Sequence, residues 1–144
     1  MSSLPTPITA KPVPQRSRPG FFFGLFGSLF IRGESTLFHL ARSMGGEQYR
    51  GGLWEFKQLS NGGLFAIPPG PDRWELRPMN MSEPAMRREA AGLTITLFAL
   101  GGMMELAAES NSEALFKLLE TRHALVWDYA RLHPDWSAIQ AALD

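Results

Sequence analysis

The sequence predicts an α+β fold, in which a short antiparallel β-meander packs against several α-helices in a single domain with a disordered N-terminal tail. Apolar residues recur at helical spacing in several segments and alternate with polar residues near the middle of the chain. The pair Asn61-Gly62 separates two alternating segments, which is typical of a β-hairpin. The length of 144 residues and the hydrophobic content of 44% suit one folded domain. We expect this domain to span residues 21–144.

Residues 1–20 are predicted to form a disordered basic tail. The segment contains five prolines, and its three basic residues have no acidic neighbour. Such a composition buries too little apolar surface to offset the chain entropy lost on folding. The phenylalanine-rich run over 21–31 is too short to span a bilayer, which requires about 20 apolar residues. We expect this run to pack on the core, with shallow membrane attachment as the alternative.

The middle of the chain predicts a helix followed by the hairpin. The helix covers residues 34–44, and the glycine pair 45–46 is expected to end it. Residues 53–59 and 64–67 are predicted to be strands joined by a two-residue Asn61-Gly62 turn. In this register Phe56 faces Ile67 and Gln58 faces Phe65. One face of the hairpin, the expected core face, then carries Trp54, Phe56, Phe65 and Ile67.

Residues 73–77 are predicted to be the third strand of the meander, with Trp74 and Leu76 pointing inward. Ser82 is the expected N-cap of a helix that continues through residue 100. This helix is apolar nearly all round, which predicts a buried central element. The pair Gly101-Gly102 is expected to kink or break it.

Two further helices are predicted at the C-terminal end. Residues 110–113 match a capping box, and the helix after them extends to about residue 132. A short last helix begins near residues 133–135. The longer helix is predicted to turn one side inward, formed by Leu115, Leu118, Leu119, Arg122, Leu125, Val126, Tyr129 and Leu132.

Composition limits the possible functions. The chain has 14 basic and 14 acidic residues, so it has neither the basic surface of a typical DNA-binding domain nor the dense carboxylates of a DNA mimic. Residues 101–144 contain three basic and seven acidic residues, which favours a protein partner over nucleic acid. The chain has no cysteine, which agrees with a reducing cytoplasm and excludes thiolate chemistry.

No pattern in the sequence indicates an active site. His39, His123 and His133 lie in different predicted elements, without the spacing of a metal site. No nucleophile elbow or phosphate-binding loop occurs. The pair Arg87-Arg88 is interpreted as a solvated helix face. We therefore expect a protein that is not an enzyme, with no metal, no cofactor and no small-molecule substrate.

The segment from Gly51 to Pro68 resembles the hallmark of the ArdB/KlcA antirestriction family. It combines a glycine pair, a Trp-x-Phe strand, a Leu-Ser-Asn-Gly-Gly turn and an aromatic strand that ends in proline. Two further blocks, residues 89–100 and 138–144, match the same family, and Glu89 stands at an acidic position of it. The hallmark residues in this chain are Trp54, Phe56, Ser60, Asn61, Gly62, Gly63, Phe65 and Gly92.

The resemblance implies a bacterial cytoplasmic protein that relieves type I restriction-modification of incoming plasmid or phage DNA. The implied partner is the type I restriction-modification complex, contacted by a protein–protein mechanism and without DNA mimicry. Weak or no DNA binding and no membrane span are expected. The acidic C-terminal helices are the candidate contact surface, through Glu113, Glu120, Asp128 and Asp144.

Two other functions stay open at this point. A nucleic-acid-binding accessory protein of a mobile element would use the basic tail of residues 1–20. An uncharacterised hydrolase would require histidine and carboxylate side chains that converge in the folded chain.

Overall fold

The computed structural model describes residues 6–144. The helices are α1 (Phe21–Phe26), α2 (Phe30–Gly45), α3 (Arg88–Glu109), α4 (Glu113–Ala130) and α5 (Trp136–Leu143). The strands are β1 (Ala10–Pro12), β2 (Glu55–Leu59), β3 (Leu64–Ile67), β4 (Arg73–Glu75) and β5 (Ala85–Arg87). Short 3-10 helices occur at Gln15–Gly20, Gly27–Leu29 and Gly46–Gln48. The α+β fold class is confirmed.

Helix α3 is the central element, as predicted. Every residue from 90 to 97 is buried, because α2, α4, α5 and β3 all pack around this segment. The helix continues through Gly101 and Gly102, so the predicted kink or break is wrong. Nothing lies within 4 Å of either missing Cβ position, and two glycines lower helix propensity without breaking the hydrogen-bond ladder of a packed helix.

The first sheet has the strand order β1-β2-β3, and all its neighbouring strands are antiparallel. The strand that joins the predicted hairpin in this sheet is β1, which comes from the segment expected to be a disordered tail. Pairing of Ala10 with Leu59 and of Pro12 with Lys57 supplies backbone hydrogen bonds that composition does not reveal. Residues 10–20 therefore belong to the fold, contrary to the prediction of a disordered tail. Residues 1–5 lie outside the described part of the chain.

The hairpin between β2 and β3 is confirmed, but its predicted register is wrong by one residue. Phe56 pairs with Ala66, and Lys57 pairs with Phe65. The turn has three residues, 60–62, closed by the bond from the Leu59 N–H to the Gly63 carbonyl (2.8 Å). Only Gly62 takes a positive φ in this turn (95°), whereas the predicted two-residue turn would need a second one at Asn61.

The one-residue shift changes which side chains share a face. Phe65 and Ile67 lie on the face opposite to that of Phe56, so the predicted common core face is wrong. Phe65, Ala66 and Ile67 are nevertheless all buried, since β3 is covered on both sides.

The predicted third strand of the meander belongs to a second sheet. Trp74 and Leu76 are fully buried, as expected, but β4 pairs with β5 rather than with β3. Residues 85–87 are extended, and α3 begins only at Arg88. Ser82 is therefore not a helix N-cap, because the extended segment after Pro84 pairs with β4 before the helix starts.

The ends of the other helices differ from prediction by a few residues. Helix α2 starts at Phe30, one turn earlier than predicted, and ends at the glycine pair as expected. Ser110 caps the end of α3 rather than the start of α4, for which Ser112 is the N-cap without a side-chain hydrogen bond. The predicted capping box is therefore not formed.

The phenylalanine-rich run packs on the core, as predicted. Phe21, Leu25 and Phe26 are buried, whereas Phe23 and Ile31 are 62% and 68% exposed. The corner formed by α1 and the start of α2 thus packs on the core with one side and leaves Phe23 and Ile31 in contact with solvent.

Candidate functional site

The hallmark residues of the hairpin connect it to the N-terminal part of the chain. The Phe56 ring stacks on Phe21 at 4.2 Å, and the Arg18 guanidinium lies 5.0 Å from the centre of the Phe56 ring. Arg18 Nη2 also donates to the Trp54 carbonyl (3.2 Å), while Trp54 Nε1 donates to the Tyr49 hydroxyl (3.2 Å). Trp54 and Phe56 therefore have a structural role, because their contacts fix the N-terminal segment to the hairpin.

The turn of the hairpin is anchored to α4. Asn61 Nδ2 donates to the Leu125 carbonyl (3.0 Å), and Asn61 Oδ1 accepts from the Gly63 N–H (2.9 Å). Ser60 Oγ accepts from the Thr9 N–H (2.9 Å), which ties the turn to the segment before β1. Because Gly62 has a positive φ, the Leu-Ser-Asn-Gly-Gly sequence is explained by turn geometry and anchoring.

The last two hallmark residues are buried beside α3 and α4. The Phe65 ring lies 5.8 Å from the ring of Tyr129. A Cβ on Gly92 would lie 2.5 Å from the Ala66 carbonyl oxygen, so α3 and β3 approach as closely as backbones allow. Phe65 and Gly92 are therefore not available to a partner at the surface.

A network of polar side chains joins the start of α3 to the end of α4. Tyr129 Oη donates to Glu89 Oε1 (3.1 Å), and His133 Nε2 lies 3.2 Å from the same oxygen. His133 Nδ1 accepts from the Asp135 N–H (3.0 Å), which places the proton of the neutral imidazole on Nε2, facing Glu89. The His133 side chain is only 6% exposed.

The electrostatics of this network favour an ionised Glu89. The hydrogen bond from His133 is the largest effect, and with that of Tyr129 it lowers the pKa of Glu89 below its usual range despite partial burial. Burial and the neighbouring carboxylate raise the pKa of Tyr129 to about 12. The position of Glu89 in the first turn of α3 adds a favourable helix dipole. Glu89 is thus an ionised carboxylate that accepts hydrogen bonds from both His133 and Tyr129.

Sequence reasoning missed this network. Glu89 and Tyr129 are 40 positions apart, and no spacing rule connects them. The signal available was the match of Glu89 to an acidic position of the family. Pro7, Ile8, Leu132 and Pro134 line an open cleft of about 500 Å³ beside the network.

The three histidines do not meet. His39 is exposed on α2, His123 stacks on Trp127 at 6.1 Å, and His133 belongs to the network with Glu89. Burial lowers the pKa of His123. Within residues 6–144, no group of three His, Asp or Glu side chains is arranged to hold a metal ion. A hydrolase, the open alternative, would need histidine and carboxylate side chains that lie close together. Among the described residues, His133 and Glu89 are the histidine–carboxylate pair in contact.

The predicted partner-binding carboxylates are placed apart. Glu113 and Glu120 are exposed on one side of α4, two turns from each other. Asp128 lies 3.5 Å from the guanidinium of Arg131 and is half-exposed. Asp144 follows the end of α5 and is exposed. The structure thus does not gather them into one compact site.

Two other surface predictions change. Arg88 Nη2 lies 2.9 Å from Glu55 Oε1 and Arg88 Nη1 donates to the Pro68 carbonyl, so Arg88 links α3 to the first sheet rather than lying on a solvated face. Leu132 is 66% exposed and Leu118 is 36% exposed, although both were predicted to point inward. Leu118 instead contacts Gly27 from the outside of the α1–α2 corner.

Helix α3 is long and apolar enough to span a membrane. Of its most apolar stretch, however, 67% is buried inside the fold, as is usual for the core helix of a globular domain.

These features define the class of protein. The model of the antirestriction protein family matches residues 47–144, and the chain belongs to that family. The match contains the hairpin, the central helix and the network of Glu89, Tyr129 and His133.

Individual relatives match over nearly the whole chain. The antirestriction protein KlcA of Escherichia coli is 34% identical over 100% of both chains, and YubI of Escherichia coli strain K12 is 34% identical over 96% of both. A solved structure superimposes with a TM-score of 0.81, 32% identity and 100% coverage of both chains. It is described with KlcA and ArdB proteins that have a novel fold and antirestriction activity against type I DNA restriction systems in vivo but not in vitro.

Proposed function

We propose that this chain relieves type I restriction of incoming plasmid or phage DNA in the bacterial cytoplasm, without catalysis. The observation that carries the proposal is the whole-chain superposition on the structure described with KlcA and ArdB, at a TM-score of 0.81 and 32% identity. Both the core and the surface elements of the fold are therefore shared with proteins for which this activity is described.

We infer that inhibition uses contact with protein rather than imitation of DNA. The chain has equal numbers of acidic and basic residues, and the exposed carboxylates of α4 and of the chain end after α5 are dispersed. A DNA mimic requires a continuous array of negative charge, which this surface lacks. The proposed partner is the type I restriction-modification complex, and Glu113, Glu120, Asp128 and Asp144 are the proposed acidic contacts to it.

Activity in vivo but not in vitro is described for the KlcA and ArdB proteins. For this chain we accordingly propose that relief requires a further component of the living cell. Addition of the purified protein to a purified type I enzyme is then expected to leave DNA cleavage unchanged, and addition of cell extract is expected to restore inhibition.

The decisive experiment measures the plating efficiency of unmodified phage on cells that carry a type I system. We expect the phage to plate at least tenfold more efficiently on cells that express this chain than on cells with an empty vector. A host without the restriction system is the control for any general effect on phage growth. Equal plating on the restricting host, with the protein present and folded, contradicts the proposal.

The proposed acidic contacts have a matched control. The double variant Glu113→Lys and Glu120→Lys reverses two exposed charges on α4, and Glu47→Lys reverses another exposed carboxylate away from α4. We expect loss of restriction relief only in the double variant. Its melting temperature should fall slightly, because Glu113 lies in the first turn of α4, and that of Glu47→Lys should be nearly unchanged. Full relief by the double variant excludes this part of α4 as the contact.

A further inference from the structure

The loop between β4 and β5 carries two methionine side chains that the described chain leaves uncovered. Met79 is 99% exposed and Met81 is 89% exposed, whereas Met86 just after the loop is fully buried. Burying a methionine side chain is favourable relative to leaving it in water. Met79 and Met81 are the two most exposed large apolar side chains in residues 6–144, and they lie two positions apart in one loop.

The loop is held in place at both ends by backbone hydrogen bonds. The Leu76 N–H donates to the Pro84 carbonyl (3.0 Å), and the Arg77 N–H donates to the Met44 carbonyl at the end of α2 (2.9 Å). These bonds attach the base of the loop to the second sheet and to α2.

The tip of the loop is fastened to α5. Asn80 Nδ2 donates to the Ala141 carbonyl (2.8 Å), and its Oδ1 accepts from the Ser82 N–H (3.0 Å). Ser82 Oγ lies 3.2 Å from the same Ala141 carbonyl. The polar residues of the loop thus face the molecule, while the methionines that alternate with them face solvent.

Met81 adopts a backbone conformation that disfavours its side chain. Its φ is 68°, and among the described non-glycine residues only Asn111 shares a positive φ. Asparagine tolerates this region through local hydrogen bonds, and glycine has no steric cost there, but methionine has neither advantage. Strain of this kind persists where the surrounding bonds impose it, and it is typical of functional surfaces.

We propose that Met79 and Met81 form the apolar contact of this chain with a protein of the restriction system. The inference rests on the proposed function and names a surface for it. Methionine is flexible and polarisable, which suits insertion into an apolar recess of another protein. We call residues 79–81 the methionine loop.

The charges around the methionine loop favour a protein over a polyanion. Glu83 is exposed in the same connection, and Asp144 is exposed just beyond the turn of α5 that holds Asn80. Both carboxylates would repel the phosphates of nucleic acid or of an anionic membrane. Arg77 is exposed on the other side, so the flanks have mixed charge. An apolar recess with a rim of mixed charge, richer in basic groups, complements this surface.

Substitutions separate this contact from a role in folding. In Met81→Gly the steric strain and the side chain disappear together, so we expect a melting temperature equal to or above that of the wild type and a loss of restriction relief of at least tenfold. Met79→Ser is expected to leave the melting temperature unchanged and to reduce relief. The matched control is Leu53→Ser, since Leu53 is 88% exposed but lies outside the loop, and it is expected to keep full relief. Full relief by Met79→Ser and Met81→Gly together overturns the inference and leaves the proposed function standing.

A second measurement tests the contact even where relief itself is absent. A photoreactive amino acid is placed at position 79 or at position 53 in cells that contain a type I complex. We expect a cross-link from position 79 to a protein of the restriction system and none from position 53. Cross-linking of position 79 to nucleic acid or lipid, or to no macromolecule, overturns the inference.

Discussion

Gly92 of α3 lies directly against the backbone of Ala66 in β3. A Cβ at position 92 would be 2.5 Å from the Ala66 carbonyl oxygen and 2.9 Å from the Ile67 Cα. Both obstacles are backbone atoms, so no side-chain rotation relieves the clash. The contact places the central helix of the family fold against the last strand of its hairpin.

Gly92→Ala is therefore expected to destabilise the fold. Overpacking in a closed interior costs about 1–3 kcal/mol, and the rigidity of backbone atoms places this substitution at the upper end. Chemical denaturation with the matched control Gly101→Ala measures the effect. Gly101 has open space at its Cβ position within the same helix, so the control is expected to stabilise the protein by about 0.5–1 kcal/mol. Equal stability of the two variants would contradict the close packing.

The hydroxyl of Thr96 completes the same interface. Ala66 stands opposite Phe56, between the hydrogen-bonded pairs of the hairpin, so that its N–H and carbonyl point away from β2. Thr96 Oγ1 lies 3.2 Å from this nitrogen and 3.4 Å from this oxygen. One buried hydroxyl thus serves both backbone groups at the free edge of β3.

Thr96→Val keeps the shape of the side chain but leaves the Ala66 backbone groups without this partner. An unsatisfied buried polar group costs about 1–3 kcal/mol, and we expect a loss of stability in that range. In the control Thr94→Val, the lost hydroxyl is bonded to the Ala90 carbonyl within α3 (2.9 Å), which retains its helical N–H donor. The control should therefore lose less. A larger loss in Thr94→Val, measured by urea unfolding, would argue against the role of Thr96.

The turn of the hairpin provides a test of backbone conformation. Gly62 has a φ of 95° and no neighbour within 4 Å of a Cβ, so any cost of substitution comes from the backbone. We expect Gly62→Val to destabilise the fold by about 1 kcal/mol or more, because a β-branched residue resists positive φ. Gly20→Ala, at a position with ordinary φ and equal space, should be neutral or slightly stabilising. An unchanged melting temperature for Gly62→Val would mean that the turn does not require a positive φ there.

The fold was predictable where local chemistry determines it. The predominantly apolar segment over residues 90–97 predicts a central helix, and the Asn61-Gly62 pair predicts the hairpin. The register could not be deduced, since two-residue and three-residue turns both accept this sequence, and nothing in it decides whether Asn61 takes a positive φ. The strand at 85–87 was hidden because Ser82 and Pro84 also match the first turn of a helix.

The candidate surfaces were less predictable than the fold. Trp54, Phe65 and Gly92, which are among the hallmark residues that identify the family, are buried and determine architecture. The bond of His133 to Glu89 depends on how α3 packs on α4, which no single segment encodes. The exposure of Met79 likewise follows from the attachment of its loop to α5 rather than from any local pattern.

The network of Glu89, Tyr129 and His133 predicts how stability depends on pH. The pKa of Glu89 is lowered in the folded state, chiefly by the hydrogen bond from His133. A depressed carboxyl pKa stabilises the fold above the unfolded value of about 4.3, and this contribution is lost as the pH falls through the folded pKa. The variant Glu89→Gln lacks this titration.

We therefore expect Glu89→Gln to be less stable than the wild type at pH 6, with the difference decreasing steadily between pH 5 and pH 3. Tyr129→Phe removes the weaker of the two donors to Glu89, and should reduce the same acid-side dependence by a smaller amount. Glu75→Gln is the control, because Glu75 is exposed and makes no side-chain bond to a described residue. Denaturation midpoints at each pH measure the effect. A difference between wild type and Glu89→Gln that does not change between pH 5 and pH 3 would show that the Glu89 carboxylate has no special stabilisation in the fold.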